Sequence, residues 1–201
     1  GVTNPVTRHP AVTASAIGSV QRVAGDRVQL GTGRGDSALA HIGRSPARVV
    51  DFERYLIAVQ KYLKGEEVLF EDLKFGETVS RGVDELGLAA SAIASQINWL
   101  PGRLGKVDVE VAATGPKVIS AAARHSDRIM FALGADHERI KWGIEIAREA
   151  RKDEGLDPDE IDYGAYVNII CHSNLEKARE LVRGGLSTFA RFSVMHGEVV
   201  G

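Results

Sequence analysis

Three stretches carry residue types and spacings that suit a phosphorylated small molecule. The first is Leu30-Gly31-Thr32-Gly33-Arg34-Gly35-Asp36-Ser37. Glycines at every second position let the backbone approach a ligand, and exposed amides beside Arg34 suit a phosphate. It is not the dinucleotide fingerprint, because Asp36 stands where the third glycine belongs and no helix is expected to start at once. It is not a P-loop either, since no Gly-Lys-Ser/Thr follows. A flexible turn carrying a solvated arginine fits the same residues. The second stretch is Val111-Ala112-Ala113-Thr114-Gly115-Pro116-Lys117, a strand running into a helix N-terminus. Small side chains leave room, Thr114 offers a hydroxyl, and the free amides of the first turn favour an anion. A plain cap before an early proline reads equally well. The third, Val2-Thr3-Asn4-Pro5-Val6-Thr7-Arg8-His9-Pro10, crowds polar groups and prolines at a strand end, where a ligand or a neighbouring loop would use them.

Other chemistry-bearing residues carry weaker signals. The histidines, His9, His41, His125, His137, His172 and His196, show no metal-ligand spacing, so no metal site is expected. Cys171 is expected in a buried strand as an inert core thiol. The charged run from Arg148 to Glu160 reads as a solvated helix end and its loop. Phe189, Phe192 and Met195 read as core packing, with His196 a weak candidate for facing substrate.

Short apolar runs alternate with helical patterns, which predicts βα units and a parallel sheet. The stub Gly1-Val2-Thr3 precedes a helix over roughly Pro10 to Ala24, with Val12, Ala16, Val20 and Val23 as its apolar face. A strand over Arg27 to Leu30 leads through the glycine-rich loop into a helix whose Val49, Phe52, Leu56, Val59 and Leu63 form one stripe. Ser45-Pro46 is expected to start that helix and Gly65 to stop it. Strands follow at Val107 to Val111 and at Ile129 to Leu133, the latter expected to be buried on both faces. Their helices start at about Pro116 and near the cap candidate Asp136, the latter turning Ile140, Ile144 and Ala147 inward. A last strand over Ala165 to Cys171 precedes a helix opened by the capping box Ser173-Asn174-Leu175-Glu176 and ended by Gly184-Gly185. Residues 65–106 break this rhythm. A small hairpin of Leu69-Phe70 and Leu73-Lys74-Phe75 is expected there, within an insertion that acts as a lid or packs as ordinary structure.

That is α/β architecture with five βα units, where a closed (β/α)8 TIM barrel needs eight. Gly1 lies inside an expected strand end and Gly201 follows Val199-Val200, so both ends read as cuts in a longer barrel. The reading is a single, partial barrel domain over 1–201 with an insertion at about 65–106. A net charge of -2 gives no footprint for nucleic acid. One cysteine rules out an internal disulfide and fits a reducing compartment. With no long apolar run, the expectation is a cytoplasmic protein that does not enter membranes.

The stretches GVTNPVTRHPAVTA, LGTGRGDSAL, VAATGPK and STFARFSVMHG, in that order, resemble the luciferase-like superfamily. They are most similar to its deazaflavin-dependent branch, typified by methylenetetrahydromethanopterin reductase. The resemblance implies the third to seventh units of a luciferase-like barrel. It implies an oxidoreductase passing a hydride between the deazaflavin coenzyme F-420 and a small organic substrate, as a homodimer. An FMN-dependent luciferase-like monooxygenase is the alternative; a truncated, non-catalytic remnant is the reading from another class. Gly1-Val2 would match a non-prolyl cis peptide behind the cofactor ring, a bond costing about 3 kcal/mol. Thr3 and Asn4 would lie near the ring and its side chain. Gly31, Gly33, Arg34 and Gly35 would belong to the loop reaching the ribityl-phosphate part, and Ala112, Ala113, Thr114 and Gly115 to the loop around the phosphate. Glu110 departs from the less polar residue expected in its strand. The acid/base residues of relatives lie largely on the first two strands, outside this chain, so no catalytic residue is assigned.

Overall fold

Helix formation along this chain follows its punctuation. In the computed structural model, which describes residues 2–73, 82–88 and 90–193, α1 spans Pro10–Ala24. Proline at its first position suits the helix start, and the preceding His9 Nδ1 accepts from the Ala11 amide at 3.2 Å. Strand β1 is Gln29–Thr32, and the five-residue α2, Asp36–Ala40, begins immediately after Gly35. The strand thus runs two residues later than its apolar residues suggested. A helix does start at once after the glycine-rich loop, but it closes only a single short turn. Helix α3 is Val49–Lys64, ended by Gly65 in the left-handed region at φ 72°. Its start corrects the expected Ser45-Pro46 cap. Arg48 is the N-cap residue, and its side chain reaches forward to Asp51 instead of to a backbone amide.

The chain divides into two compact units, Gly1–Val109 and Glu110–Gly201. In the first, α1 packs on α3, whose Phe52, Leu56, Val59 and Leu63 are fully buried as their spacing predicts. The inward face of α1 is not the valine stripe. Val12, Val20 and Val23 are 55%, 50% and 91% exposed, while Thr13, Ala14, Gly18 and Gln21 are buried. Close approach decides the matter: the Thr13 hydroxyl lies 2.8 Å from the Tyr55 phenol, and a Cβ at Gly18 would stand 2.6 Å from Leu100 Cδ2. Small and hydrogen-bonded residues let the helix dock where valines would hold it off.

Short strands β2 (Val68–Leu69) and β3 (Ala94–Ser95) pair antiparallel. A 3-10 turn over Phe70–Leu73 takes the place of the expected hairpin; Lys74 and Phe75 lie outside the described residues. The Tyr62 phenol, 2.6 Å from Ser95 Oγ, ties this ribbon to α3.

Strand β4 (Asp108–Ala113) begins at the end of the first unit and continues into the second, where it pairs in parallel with β5 (Arg128–Phe131) and β5 with β6 (Asp162–Ala165), Ala113 opposite Phe131 and Phe131 opposite Ala165. Helices α4 (Pro116–His125) and α5 (His137–Asp153) pack together. Asp136 caps α5 as expected, accepting from the Glu138 and Arg139 amides. Ile129, Phe131 and Leu133 are fully buried, but Met130 and Ala132 on the other face are only half-buried.

Beyond β6 the expected strand does not continue. Residues 166–171 lie outside regular structure, and Ile169 is 76% exposed. Cys171 is therefore an exposed thiol and not a core one. Helix α6, Leu175–Ser193, is capped by Asn174, whose Oδ1 accepts from the Lys177 amide at 3.0 Å. It runs through Gly184 and Gly185, because two glycines weaken a helix without forcing a left-handed stop.

Candidate functional site

Thr3 and Thr32 form a parallel bridge that sets two strand ends side by side. The Thr3 amide donates to the Gly31 carbonyl at 2.9 Å, and the Gly33 amide donates to the Thr3 carbonyl at 3.0 Å. Thr32, fully buried, adds its hydroxyl to the same Thr3 carbonyl at 3.3 Å. The first and third polar stretches of the sequence therefore leave the sheet together. Ligands of parallel α/β proteins sit beyond such carboxyl ends.

Past the bridge each loop is fixed by side chains. Asn4 is 5% exposed, and its Oδ1 accepts from the Val6 amide, the Thr7 amide and the Thr7 hydroxyl, each at 3.1 Å. The carboxamide carbonyl thus shapes the turn that follows. Gly35, at φ 92°, lies against it, for a Cβ there would stand 2.9 Å from Asn4 Cβ and 2.8 Å from Leu39 Cδ1. Only glycine combines that backbone angle with that approach. Arg34 donates through Nε to the Ala47 carbonyl at 2.6 Å and accepts the Ala47 amide on its own carbonyl at 3.2 Å. The arginine is half-buried, and its guanidinium braces the loop ahead of α3 as well as standing at the strand end.

Val2 is 46% exposed; Gly1, and with it the expected cis peptide, lies outside the described residues. The Thr3 hydroxyl accepts from Arg8 Nη1 at 3.3 Å. Desolvation holds the His9 imidazole below its usual pKa, which keeps Nδ1 available as the acceptor that caps α1. Residues 194–201, including Met195 and His196, lie outside the described residues, as do the side chains of Phe189 and Phe192.

In the second unit Ala112 and Ala113 end β4, and the Ala113 carbonyl accepts from the Ala132 amide at 3.0 Å. Thr114 is half-buried. Gly115 is the N-cap of α4 and contributes no side-chain hydrogen bond, with Pro116 opening the first turn. An uncapped N-terminus of a ten-residue helix presents amides and a dipole that suit an anion.

The sequence did not single out Thr32 as a lock, nor Ala47, Arg48 and Asp51. Ala47 meets Arg34 across thirteen residues of chain, a distance no local pattern reveals. Arg48 and Asp51 did offer a signal, an opposite-charge pair three residues apart at a helix start. Among the described residues no group of three or more His, Cys, Asp or Glu could hold a metal ion, and no helix is long and apolar enough to cross a membrane.

The methylenetetrahydromethanopterin reductase of Archaeoglobus fulgidus is 30% identical over 188 residues, covering 91% of this chain and 50% of that protein. The chain spans about half the length of the curated relatives it matches. Among solved structures, the coenzyme F-420 dependent tetrahydromethanopterin reductase from Methanopyrus kandleri superposes with a TM-score of 0.65 at 18% identity, covering 94% of this chain and 54% of that one. An F-420-dependent secondary alcohol dehydrogenase in complex with an F-420–acetone adduct gives 0.68 at 16% identity, covering 100% and 57%. The chain thus has the luciferase-like α/β-barrel fold, short of the full length of its relatives. The family profile of the luciferase-like monooxygenases matches residues 1–198, through every strand and loop described above, and the chain belongs to that family.

Proposed function

We propose that the chain is part of an oxidoreductase that binds the deazaflavin coenzyme F-420 and uses it to reduce or oxidise a small organic substrate. The observation that carries this reading is the Thr3–Thr32 bridge with Gly35 packed on Asn4. It joins, at the ligand-binding end of two parallel strands, two of the stretches on which the likeness to the deazaflavin branch rests. The groups present fit such a coenzyme: the half-buried Thr3 hydroxyl for a polar ring edge, and the Arg34 guanidinium for a phosphate-bearing side chain. When bound, a deazaflavin supplies a two-electron hydride donor or acceptor. The protein's part is to hold the Thr3-Asn4 segment rigid through the Asn4 turn and to present Arg34 beside Gly33 and Gly35. The names of the reductase and dehydrogenase relatives support the choice of coenzyme. The same likeness extends the proposal to a cytoplasmic homodimer, with residues 65–106 as an insertion in one partial barrel domain.

A second reading, an FMN-dependent monooxygenase, is favoured by the family's own description. Parallel titrations of the folded protein with F-420 and with FMN, followed by ligand fluorescence, separate the two. Tighter binding of F-420 is expected. Preference for FMN would move the protein to the monooxygenases, and binding of neither would leave a non-catalytic remnant.

A further inference from the structure

The last turns of α1 and the segment over residues 100–104 border an open cleft of about 430 Å³, a size common among small-molecule sites. Gln21 and Arg22 line one side; Leu100, Pro101, Arg103 and Leu104 line the other. The loop that carries Thr3 and Asn4 enters α1 at Pro10. Gln21 stands about three helical turns further on, about 16 Å along the axis, so the cleft lies at the opposite end of α1 from that loop.

Close packing fixes both sides. A Cβ at Gly18 would stand 2.6 Å from Leu100 Cδ2 and 3.2 Å from the Trp99 ring, so helix and segment meet without room for a side chain. Arg22 places its guanidinium 4.5 Å from the centre of the Trp99 ring and donates through Nη2 to the Trp99 carbonyl at 3.4 Å. Neither contact neutralises its charge. Arg103 is exposed, and among the described residues neither arginine has a carboxylate partner. No acidic side chain lines the cleft, so both positive charges stand uncompensated there.

A polar group in the same wall is unmatched. Gln21 is 5% exposed, yet its carboxamide makes no hydrogen bond to any described residue. Thr13, on the same helix and equally buried, shows the usual arrangement, with its hydroxyl 2.8 Å from the Tyr55 phenol. Burying an amide without a partner is unfavourable, and Gln21 borders the one place on its side of α1 where a ligand oxygen can meet its N–H groups.

We propose that this cleft binds a small organic anion, a carboxylate or phosphate ester on a short apolar body. The oxygens are held by the guanidinium groups of Arg22 and Arg103 and by the Gln21 carboxamide, and the hydrocarbon lies on Leu100, Pro101 and Leu104. The site stands whether or not the coenzyme reading does, since none of its residues belongs to the strand-end loops.

The test titrates hexanoate and hexyl phosphate calorimetrically into the folded chain at low salt, with acetate and hexanamide as controls. The better hexyl anion is expected to bind about tenfold tighter than acetate, which lacks the apolar body, and than hexanamide, which lacks the charge. Arg103→Gln, at an exposed position, should weaken it about tenfold, as loss of one charge-assisted contact does. Gln21→Leu should weaken it as well, while the urea midpoint is no lower than the parent's, because an apolar side chain replaces an unpartnered amide. F-420 is expected to bind parent and variants alike. Whichever hexyl anion binds better names the head group, and either result supports the site. Failure of both to bind saturably, binding indifferent to Arg103→Gln, or a lowered midpoint in Gln21→Leu overturns it. A parallel fall in F-420 affinity would also overturn it as a separate site.

Discussion

Gly35→Ala strikes the point where the two strand-end loops touch. Two costs add there. At φ 92° and ψ 26° an alanine pays the left-handed penalty of about 1–2 kcal/mol. The new Cβ would also meet Leu39 Cδ1 at 2.8 Å, Leu39 Cγ at 2.9 Å and Asn4 Cβ at 2.9 Å. Leu39 is fully buried and Asn4 5% exposed, so neither side chain has solvent to swing into, and overpacking adds about 1–3 kcal/mol. The sum, about 2–5 kcal/mol, is a large share of the roughly 5–15 kcal/mol that holds an ordinary domain together. Gly43→Ala is the control: its φ of 70° carries the backbone penalty, but nothing lies within 4 Å of the added methyl. Urea unfolding of both variants at matched slope isolates the packing part as their difference, expected at about 1–3 kcal/mol. Variants equal within about 0.5 kcal/mol would refute the contact between Asn4 and Gly35, and with it the joining of the two loops.

Arg34→Lys keeps the charge but loses the Nε donor to the Ala47 carbonyl; stability is expected to fall by about 1 kcal/mol and F-420 binding to weaken, both read on one purified sample. Tyr55→Phe leaves the Thr13 hydroxyl, 5% exposed, without its 2.8 Å partner and should cost about 1–2 kcal/mol in denaturant unfolding. His9, with its pKa lowered by desolvation, binds fewer protons folded than unfolded between its folded pKa and 6.5. Its contribution to stability is therefore present above pH 6.5 and is lost as pH falls through the folded pKa. His9→Asn, which can cap α1 without titrating, should flatten that acid limb in a pH series of melting curves.

Much of the fold was legible because the local signals agreed with one another. The α3 stripe, the Gly65 stop, the Pro116 start and the Asp136 cap each combine periodicity with punctuation, and each lies where expected. Where a single signal was used alone, tertiary contacts overrode it. The valine stripe of α1 counted apolar residues but not the close approach of Trp99 and Leu100 at Gly18. The apolar run after Ala165 has strand composition, yet β6 stops there and Cys171 is exposed. Gly184-Gly185 read as a stop because glycine so often ends helices, but no left-handed residue is needed inside α6. At the site, composition pointed to the Thr3-Asn4 and Gly33–Gly35 segments. What each does there depended on partners far along the chain. Asn4 spends its carbonyl on its own turn, and Arg34 spends its Nε on Ala47.

The central claim is that Val2–Asn4 and Gly31–Gly35, the two loops joined at the Thr3–Thr32 bridge, contact a deazaflavin coenzyme. Amide hydrogen exchange of the folded protein, with and without saturating F-420, tests it segment by segment. Slowed exchange is expected in both segments, with unchanged exchange in residues 175–185 of α6. Slowed exchange confined to other parts of the chain, with these segments unaffected by bound coenzyme, would contradict it.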